Sequence, residues 1–502
     1  MKNLFARYIR DGMNRRSFLK GSFAGVTMAS VPSFGRPIVE PRGPVRLKLG
    51  VLSDIHITDW EATGPFRAVL REFDSWGADG VMVCGDLADY GVIPQLECVA
   101  RAWFEVFPDG KGRDGRPVAN LMHYGDHDTR GSTYRRCKPC VKMFPDEEEM
   151  KKVIIRLNDR KAIWEKCFHE PWSPIVHKRV KGYDFVLSHF TQGEKGNERG
   201  DNTPGLEKFM AGLDLDPNRP FFHSQHRVYR NTACGPYVWG QEDGTTGALF
   251  AAKFPNVIAF CGHAHQCAVN DQCVWQGAFS AIEVPSLRYC VTLGGRENGF
   301  SLFDRETRHI VRTMPEMAVG EGYDFTRQGY FVSVYDNCMV VKRHEFKYGV
   351  SLGPDWVIPF PAPGDRPYAF ETRRKVVPAP QFPVGAVITV KEVRAKDRLG
   401  EMREMYELTF PPAASTASTP RANEYEVRVE LQACDVVKTV ATRRFYPMDY
   451  IYGAEKKQVV CRMLKSDVPA DLPSRFIVNP MNSYYTRGRP IMTDFEVRRK
   501  EA

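Results

Sequence analysis

Gly125-Asp126-His127-Asp128 follows the apolar run Val118-Ala119-Asn120-Leu121-Met122. The run predicts a buried strand, and it ends in two carboxylates flanking an imidazole. Burying unpaired charge is costly, so such a cluster needs partners or a metal. Alone, the tetrapeptide reads more readily as a solvated turn than as a site. Four further stretches of the same construction decide between these readings.

Leu47–Leu52 reads as a strand leading to Ser53-Asp54-Ile55-His56, and Gly80–Cys84 as one leading to Gly85-Asp86-Leu87-Ala88-Asp89. Phe221-Phe222 leads to His223, and Val257–Cys261 to Gly262-His263-Ala264-His265. Between them lie a helical pattern over Phe66–Trp76, a longer one over Glu147–Cys167 with a charged outer face, and a further strand over Tyr183–Leu187. Short apolar runs alternating with helices describe an α/β domain. Its polar residues follow the carboxyl ends of successive strands, where ligand sites in such sheets belong. Gly329–Val341 reads as a hairpin with Asp336-Asn337 at its turn, completing the sheets of this domain.

Together the five stretches supply Asp54, His56, Asp86, Asp126, His223, His263 and His265. Carboxylates mixed with imidazoles suit Zn, Fe or Mn better than Ca. Seven ligands exceed the need of one four-coordinate ion, so a two-metal site follows if they converge. Asp86, from the middle strand, is the sensible bridge. His226, three residues after His223, is an alternative ligand. His189 and His123 read as packing histidines. Arg130, Tyr134, Arg135 and Arg136 form a basic loop after His127 that could meet a phosphate.

In this order the blocks resemble the calcineurin-like metallophosphoesterases. That family's pattern is Asp-x-His, Gly-Asp-x-x-Asp, Gly-Asn-His-Asp/Glu, a lone His, and Gly-His-x-His. The resemblance implies a four-layer α/β/β/α sandwich over residues 46–353. It implies two divalent ions (Mn, Fe or Zn), one held by Asp54, His56 and His265, the other by Asp126, His223 and His263, with Asp86 shared. It further implies a hydroxide activated by both ions as nucleophile, His127 as the acid for the leaving oxygen, and Asp89 as the carboxylate orienting His127. The expected substrate is a small phosphorylated molecule. A diester or pyrophosphate would use the same site, and a non-catalytic, metal-stabilised binding module is the competing reading from another class. One position departs from the pattern: Asp126 stands where the family has Asn, adding a charge to the ligand set.

The remaining chain frames this domain. Asn14-Arg15-Arg16-Ser17-Phe18-Leu19-Lys20, followed by an uncharged stretch to Gly35, resembles a twin-arginine export signal over residues 1–35 and implies a periplasmic or cell-surface destination. Residues 354–384 are proline-dense and read as a linker. Residues 385–502 alternate in short runs separated by turns, the pattern of a small all-β sandwich resembling an immunoglobulin-like appendage. Composition is that of an ordinary globular protein, with 43% hydrophobic and 26% charged residues over 502 positions. A net charge of +9 at this length, without a dense basic block beyond the N-terminus, does not point to nucleic acid. Thirteen scattered cysteines define no disulfide framework, although Cys137 and Cys140 have the spacing of a redox pair. No stretch is apolar and long enough to span a bilayer.

Overall fold

The computed structural model describes residues 39–129, 147–156, 158–191, 203–233, 245–290, 326–396, 401–414, 422–445 and 457–497. The stretch that resembles an export signal, the loop after Thr129 and the Cys137/Cys140 pair lie outside these residues. In chain order the α/β domain runs β1 (Leu47–Leu52), α1 (Thr63–Trp76), β2 (Gly80–Val83), α2 (Ile93–Val106), β3 (Ala119–Met122), α3 (Glu147–Val153), α4 (Arg160–Phe168), β4 (Ile175–Val180) and β5 (Tyr183–Ser188). It continues through α5 (Thr203–Ala211), β6 (Phe221–Gln225), α6 (Thr246–Lys253), β7 (Val257–Cys261), β8 (Val274–Gln276) and β9 (Ser280–Glu283). The strands β10 (Gln328–Val334), β11 (Cys338–Glu345), β12 (Val350–Ser351) and β13 (Trp356–Pro359) close it.

Two sheets form, ordered β12-β11-β10-β1-β2-β3 with β13 beside β11, and β4-β5-β6-β7-β9-β8. β1, β2 and β3 are parallel, as are β5, β6, β7 and β9, so their carboxyl ends gather at one edge of each sheet. Leu49, Val51, Phe185, Phe222, Ile258 and Phe260 meet in one core between the sheets. A second core joins the first sheet to α1, α2 and α4, and a third joins the other sheet to α5 and α6. The result is the expected α/β/β/α sandwich.

Local chemistry explains the fit of α1. It buries Phe66, Val69, Leu70 and Phe73, and it ends at Gly77, whose positive φ of 84° lets its N–H reach the carbonyls of Asp74 and Phe73. Phe73 lies over Gly50 of β1, where an added Cβ would stand 2.2 Å from the ring. Full burial of such a ring is worth roughly 1.5–3 kcal/mol.

Two sequence expectations change. The single helix over Glu147–Cys167 is two, α3 and α4. Between them Ile154 bridges Val92 and the Ile155 N–H donates to the Gly91 carbonyl (2.9 Å), so the break is pinned by tertiary pairing. The proline-dense stretch expected as a linker contributes β13, which pairs with β11 and buries Trp356 and Ile358, and then α7 (Phe370–Val376).

The C-terminal region consists of β14 (Thr389–Lys396), β15 (Met402–Phe410), β16 (Glu424–Ala433), β17 (Val436–Phe445), β18 (Val459–Leu464), β19 (Pro473–Met481), β20 (Ile491–Met492) and β21 (Glu496–Val497). All their pairings are antiparallel. The sheets β14-β15-β18 and β17-β16-β19-β20 enclose Leu408, Phe410, Tyr425, Val427, Cys461, Phe476 and Val478. This small β domain is anchored through buried Asp271, whose carboxylate accepts from Arg343 Nη1 (3.1 Å) and Trp356 Nε1 (3.3 Å). From the β domain, Tyr484 Oη donates to the Asp271 carbonyl (3.2 Å) and Ser483 Oγ accepts from its N–H (3.3 Å).

Candidate metal centre

Asp54, Asp86, Asp126, His226, His263 and His265 each lie one to four residues beyond a strand end, where the parallel strands release the chain into the groove between the sheets. The backbone there is strained. Asp54, His56, Asp86, His263 and His265 all have φ between 44° and 69°, a region that side-chain-bearing residues occupy at a cost. The glycines of the motifs permit the crowding: a Cβ on Gly125 would stand 2.2 Å from the Asp86 N, and one on Gly262 would overlap Ser53 Oγ at 1.9 Å.

Two groups of four converge, each with its ligand atoms within 4.8 Å of one another: Asp54, His56, Asp86 and His265, and Asp86, Asp126, His226 and His263. In the first, His265 Nε2 lies 2.9 Å from Asp54 Oδ1 and 3.3 Å from His56 Nε2. In the second, His226 Nε2 lies 3.2 Å from Asp86 Oδ2, 3.3 Å from Asp126 Oδ1 and 3.1 Å from His263 Nδ1. Asp86 belongs to both. Six of the seven residues expected as ligands therefore come together.

The seventh does not. His223 sits within β6, and both of its ring nitrogens are occupied: Nε2 accepts from Ser188 Oγ (2.9 Å) and Nδ1 donates to Tyr229 Oη (2.7 Å). Its ring packs against Phe250, and burial pushes its pKa down to about 3. Strand geometry gives the reason. Successive side chains alternate faces, and a residue inside β6 cannot reach a groove that opens only past Gln225. His226, the first residue after the strand, does.

The outer nitrogens show how the rings are aimed. His56 Nδ1 donates to Asp89 Oδ1 (2.9 Å), His226 Nδ1 to the Cys84 carbonyl (2.8 Å) and His265 Nδ1 to the Tyr289 carbonyl (3.0 Å). Each bond places the proton on Nδ1 and turns the Nε2 lone pair inward. Two such lone pairs 3.3 Å apart, beside carboxylates, repel unless a cation lies between them. The donor set thus fits a pair of divalent ions.

His127 stands beside the first group, its ring edge-on to His56 with centroids 4.6 Å apart. Its N–H donates to Asp86 Oδ1 (2.9 Å) and its Nδ1 donates to the main-chain carbonyl of Asp89 (2.7 Å). The Asp89 carboxylate is aimed differently from the sequence expectation. It accepts from His56 Nδ1 (2.9 Å) and stays 3.7 Å from His127 Nδ1, so Asp89 orients His127 through its carbonyl.

Asp128, unassigned at the level of sequence, braces the site. It is fully buried and accepts from the backbone N–H groups of Leu87 (3.1 Å), Ala88 (2.6 Å) and Gly125 (2.7 Å), joining the loops after β2 and β3. Burial, with the Asp86 charge, raises its pKa to about 7 despite those donors. His189 packs among Tyr124, Trp164 and Trp172 and accepts from the Tyr124 N–H, and His123 pairs with Ser224, both outside the two groups.

Residues 47–267 match the family model described as calcineurin-like phosphoesterase. No curated protein sequence matches. Among solved structures, a dimetal phosphatase from Danio rerio is 10% identical, with 63% of this chain and 100% of that one covered and a TM-score of 0.34. A purple acid phosphatase from yellow lupin is 14% identical, with 63% and 54% covered and a TM-score of 0.34. GAP50 of Plasmodium is 11% identical, with 62% and 88% covered and a TM-score of 0.33. With the family match lying over the strands that carry the Asp/His groups, the chain carries a calcineurin-like metallophosphoesterase domain and is a metal-dependent phosphoesterase.

Proposed function

We propose that this chain is an exported hydrolase of small phosphate esters, working with one divalent ion on Asp54, His56 and His265 and another on Asp126, His226 and His263, with Asp86 between them. The observation that carries the reading is the pair of four-residue groups sharing one carboxylate, with a histidine beside them that belongs to neither. Ions held there supply Lewis acidity to the phosphate and lower the pKa of the attacking water. The protein's own residues do the rest. Strained backbone and inward-turned Nε2 atoms preorganise the ligand set. His127, its Nδ1 proton held by the Asp89 carbonyl, hands a proton from Nε2 to the leaving-group oxygen. A purely structural metal site fills its coordination positions with protein and needs no such acid.

Screening phosphate monoesters, diesters and pyrophosphates with Mn, Zn and Fe tests the reading. His127→Ala is expected to lower turnover by about 10²-fold or more while two ions per chain remain. Full turnover in that variant, or inactivity of the wild type across the panel, would overturn it. Export rests on the motif Asn14-Arg15-Arg16-Ser17-Phe18-Leu19-Lys20; unaltered export with both arginines changed to lysine would remove that part.

A further inference from the structure

The loop leaving β9 crosses from the second sheet to the first. Ser286 forms an isolated parallel bridge with Ser53, and the Leu287 N–H donates to the Ser53 carbonyl (3.0 Å). Ser286 is fully buried, and its hydroxyl makes three hydrogen bonds. It donates to the main-chain carbonyl of Asp54 (2.8 Å) and accepts from the N–H groups of Arg288 (2.9 Å) and Tyr289 (3.0 Å). A hydroxyl has one donor and two acceptor positions, so its capacity is fully used.

The turn closed by Ser286 delivers Tyr289 to the metal groups. The Tyr289 carbonyl accepts the His265 Nδ1 proton (3.0 Å). Its ring lies 4.3 Å from the His265 ring and 5.7 Å from that of His56, centroid to centroid. Asp54, His56 and His265 are the three members of the first group that the second does not share. Of the second group, His226 is held by the Cys84 carbonyl and the shared Asp86 by the His127 N–H, while the His263 N–H donates to Asp54 Oδ2 (3.0 Å), away from the main-chain carbonyl that Ser286 holds.

We infer that Ser286 is a positioning residue for one of the two metal positions, acting through the Asp54 main chain and through Tyr289 on His265. Removing the hydroxyl takes one hydrogen bond from the Asp54 carbonyl and one from each of the Arg288 and Tyr289 N–H groups, and it loosens the turn that places the Tyr289 carbonyl. His265 then loses the acceptor that fixes its tautomer and ring angle. Partners of this kind typically change metal affinity by about 10–100-fold.

This inference rests on the two-ion reading, and calorimetric titration of Mn²⁺ or Zn²⁺ into the metal-free full-length chain, with metal per chain measured by atomic emission, separates the two. Wild type is expected to take up two ions. Ser286→Ala, which adds no volume, should weaken one binding step by about 10–100-fold and leave the other within about twofold. A merely structural role would weaken both steps alike. Tyr289→Leu keeps the carbonyl and removes only the ring, and it is expected to weaken the same single step by a smaller factor; it decides the matter if Ser286→Ala does not fold. Two equal losses, or none, in a folded variant overturn the inference alone. A wild type that binds fewer than two ions overturns it together with the two-ion reading.

Discussion

Exchanging His223 and His226 for alanine, one at a time, should produce opposite phenotypes although the residues are three apart. His226 Nε2 points between Asp86 and Asp126 at 3.2 and 3.3 Å. Its loss removes one of four ligands from the second group. Changes one layer further out already cost about 10–100-fold in metal affinity, so a direct ligand should cost at least about 100-fold, or roughly 2.8 kcal/mol at about 1.4 kcal/mol per decade. Turnover should fall with it, by about 10²–10³-fold, the usual cost of removing one transition-state stabiliser. His223→Ala acts on stability instead. The Ser188 hydroxyl loses its acceptor and Tyr229 Oη its donor, at about 1–3 kcal/mol for each buried group left unsatisfied. Tyr229 keeps its bond to the Phe260 carbonyl (3.2 Å), so the total should sit nearer about 3 than 6 kcal/mol. The assays are metal per chain, turnover of an aryl phosphate and denaturant melts. A folded His223→Ala that lost one ion and its turnover, beside a His226→Ala that kept both, would refute the placement of the second metal.

Asp126→Asn restores the amide of the family pattern. Three carboxylates facing two divalent ions leave one net positive charge, and the substitution leaves two. We expect weaker metal retention, on the order of tenfold, and turnover that rises at lower pH because the attacking water is more acidic; unchanged metal titration and pH profile would contradict this. In the β domain, buried Glu426 accepts from Arg487 Nε (3.0 Å) and Nη2 (2.9 Å), with Arg444 at 3.5 Å. Burial alone would raise its pKa, but Arg487, Arg444 and Arg428 hold it below the ordinary 4.5. A carboxyl lowered on folding stabilises above its unfolded pKa and loses that contribution as pH falls through its folded pKa. Glu426→Gln should therefore cost about 1.5–3 kcal/mol at pH 7, with a gap to wild type that narrows below pH 4.5; urea melts showing a pH-independent gap would count against it.

Most of the fold was legible because its core strands carry their own signal. Val257–Cys261 is an unbroken apolar run and Leu47–Leu52 is interrupted only by half-buried Lys48, as strands covered on both faces require, and each ends in residues with no business in a core. What was not legible depended on distant partners. Nothing local breaks Glu147–Cys167 into two helices; the pairing of Ile154 with Val92 does. Nothing in a proline-dense stretch announces a strand, yet Trp356 and Ile358, on either side of half-buried Val357, are buried and add β13 to the first sheet. Proline was tolerated because β13 sits at the end of that ladder.

The site divides along the same line. A ligand that follows a strand end by up to four residues can be read from sequence, since strand end and metal groove coincide; Asp54, His56, Asp86, Asp126, His263 and His265 are legible that way. The sequence favours His223 over His226 because the apolar run Phe221-Phe222 ends before it, whereas β6 extends to Gln225 and carries His223 into its own interior. A three-residue error in a strand end therefore moves the ligand from a metal to a hydrogen-bonded pocket. Ser286 and Tyr289 had no signal at all: Pro285-Ser286-Leu287-Arg288-Tyr289 reads as an ordinary loop. Their meaning arises only when β9 pairs with β7 and the loop must cross to Ser53. The residues that bind metal are written into the motifs, while those that aim them are chosen by topology, so orienting residues in a site like this one are better sought among chain crossings between its sheets than among further histidines and carboxylates.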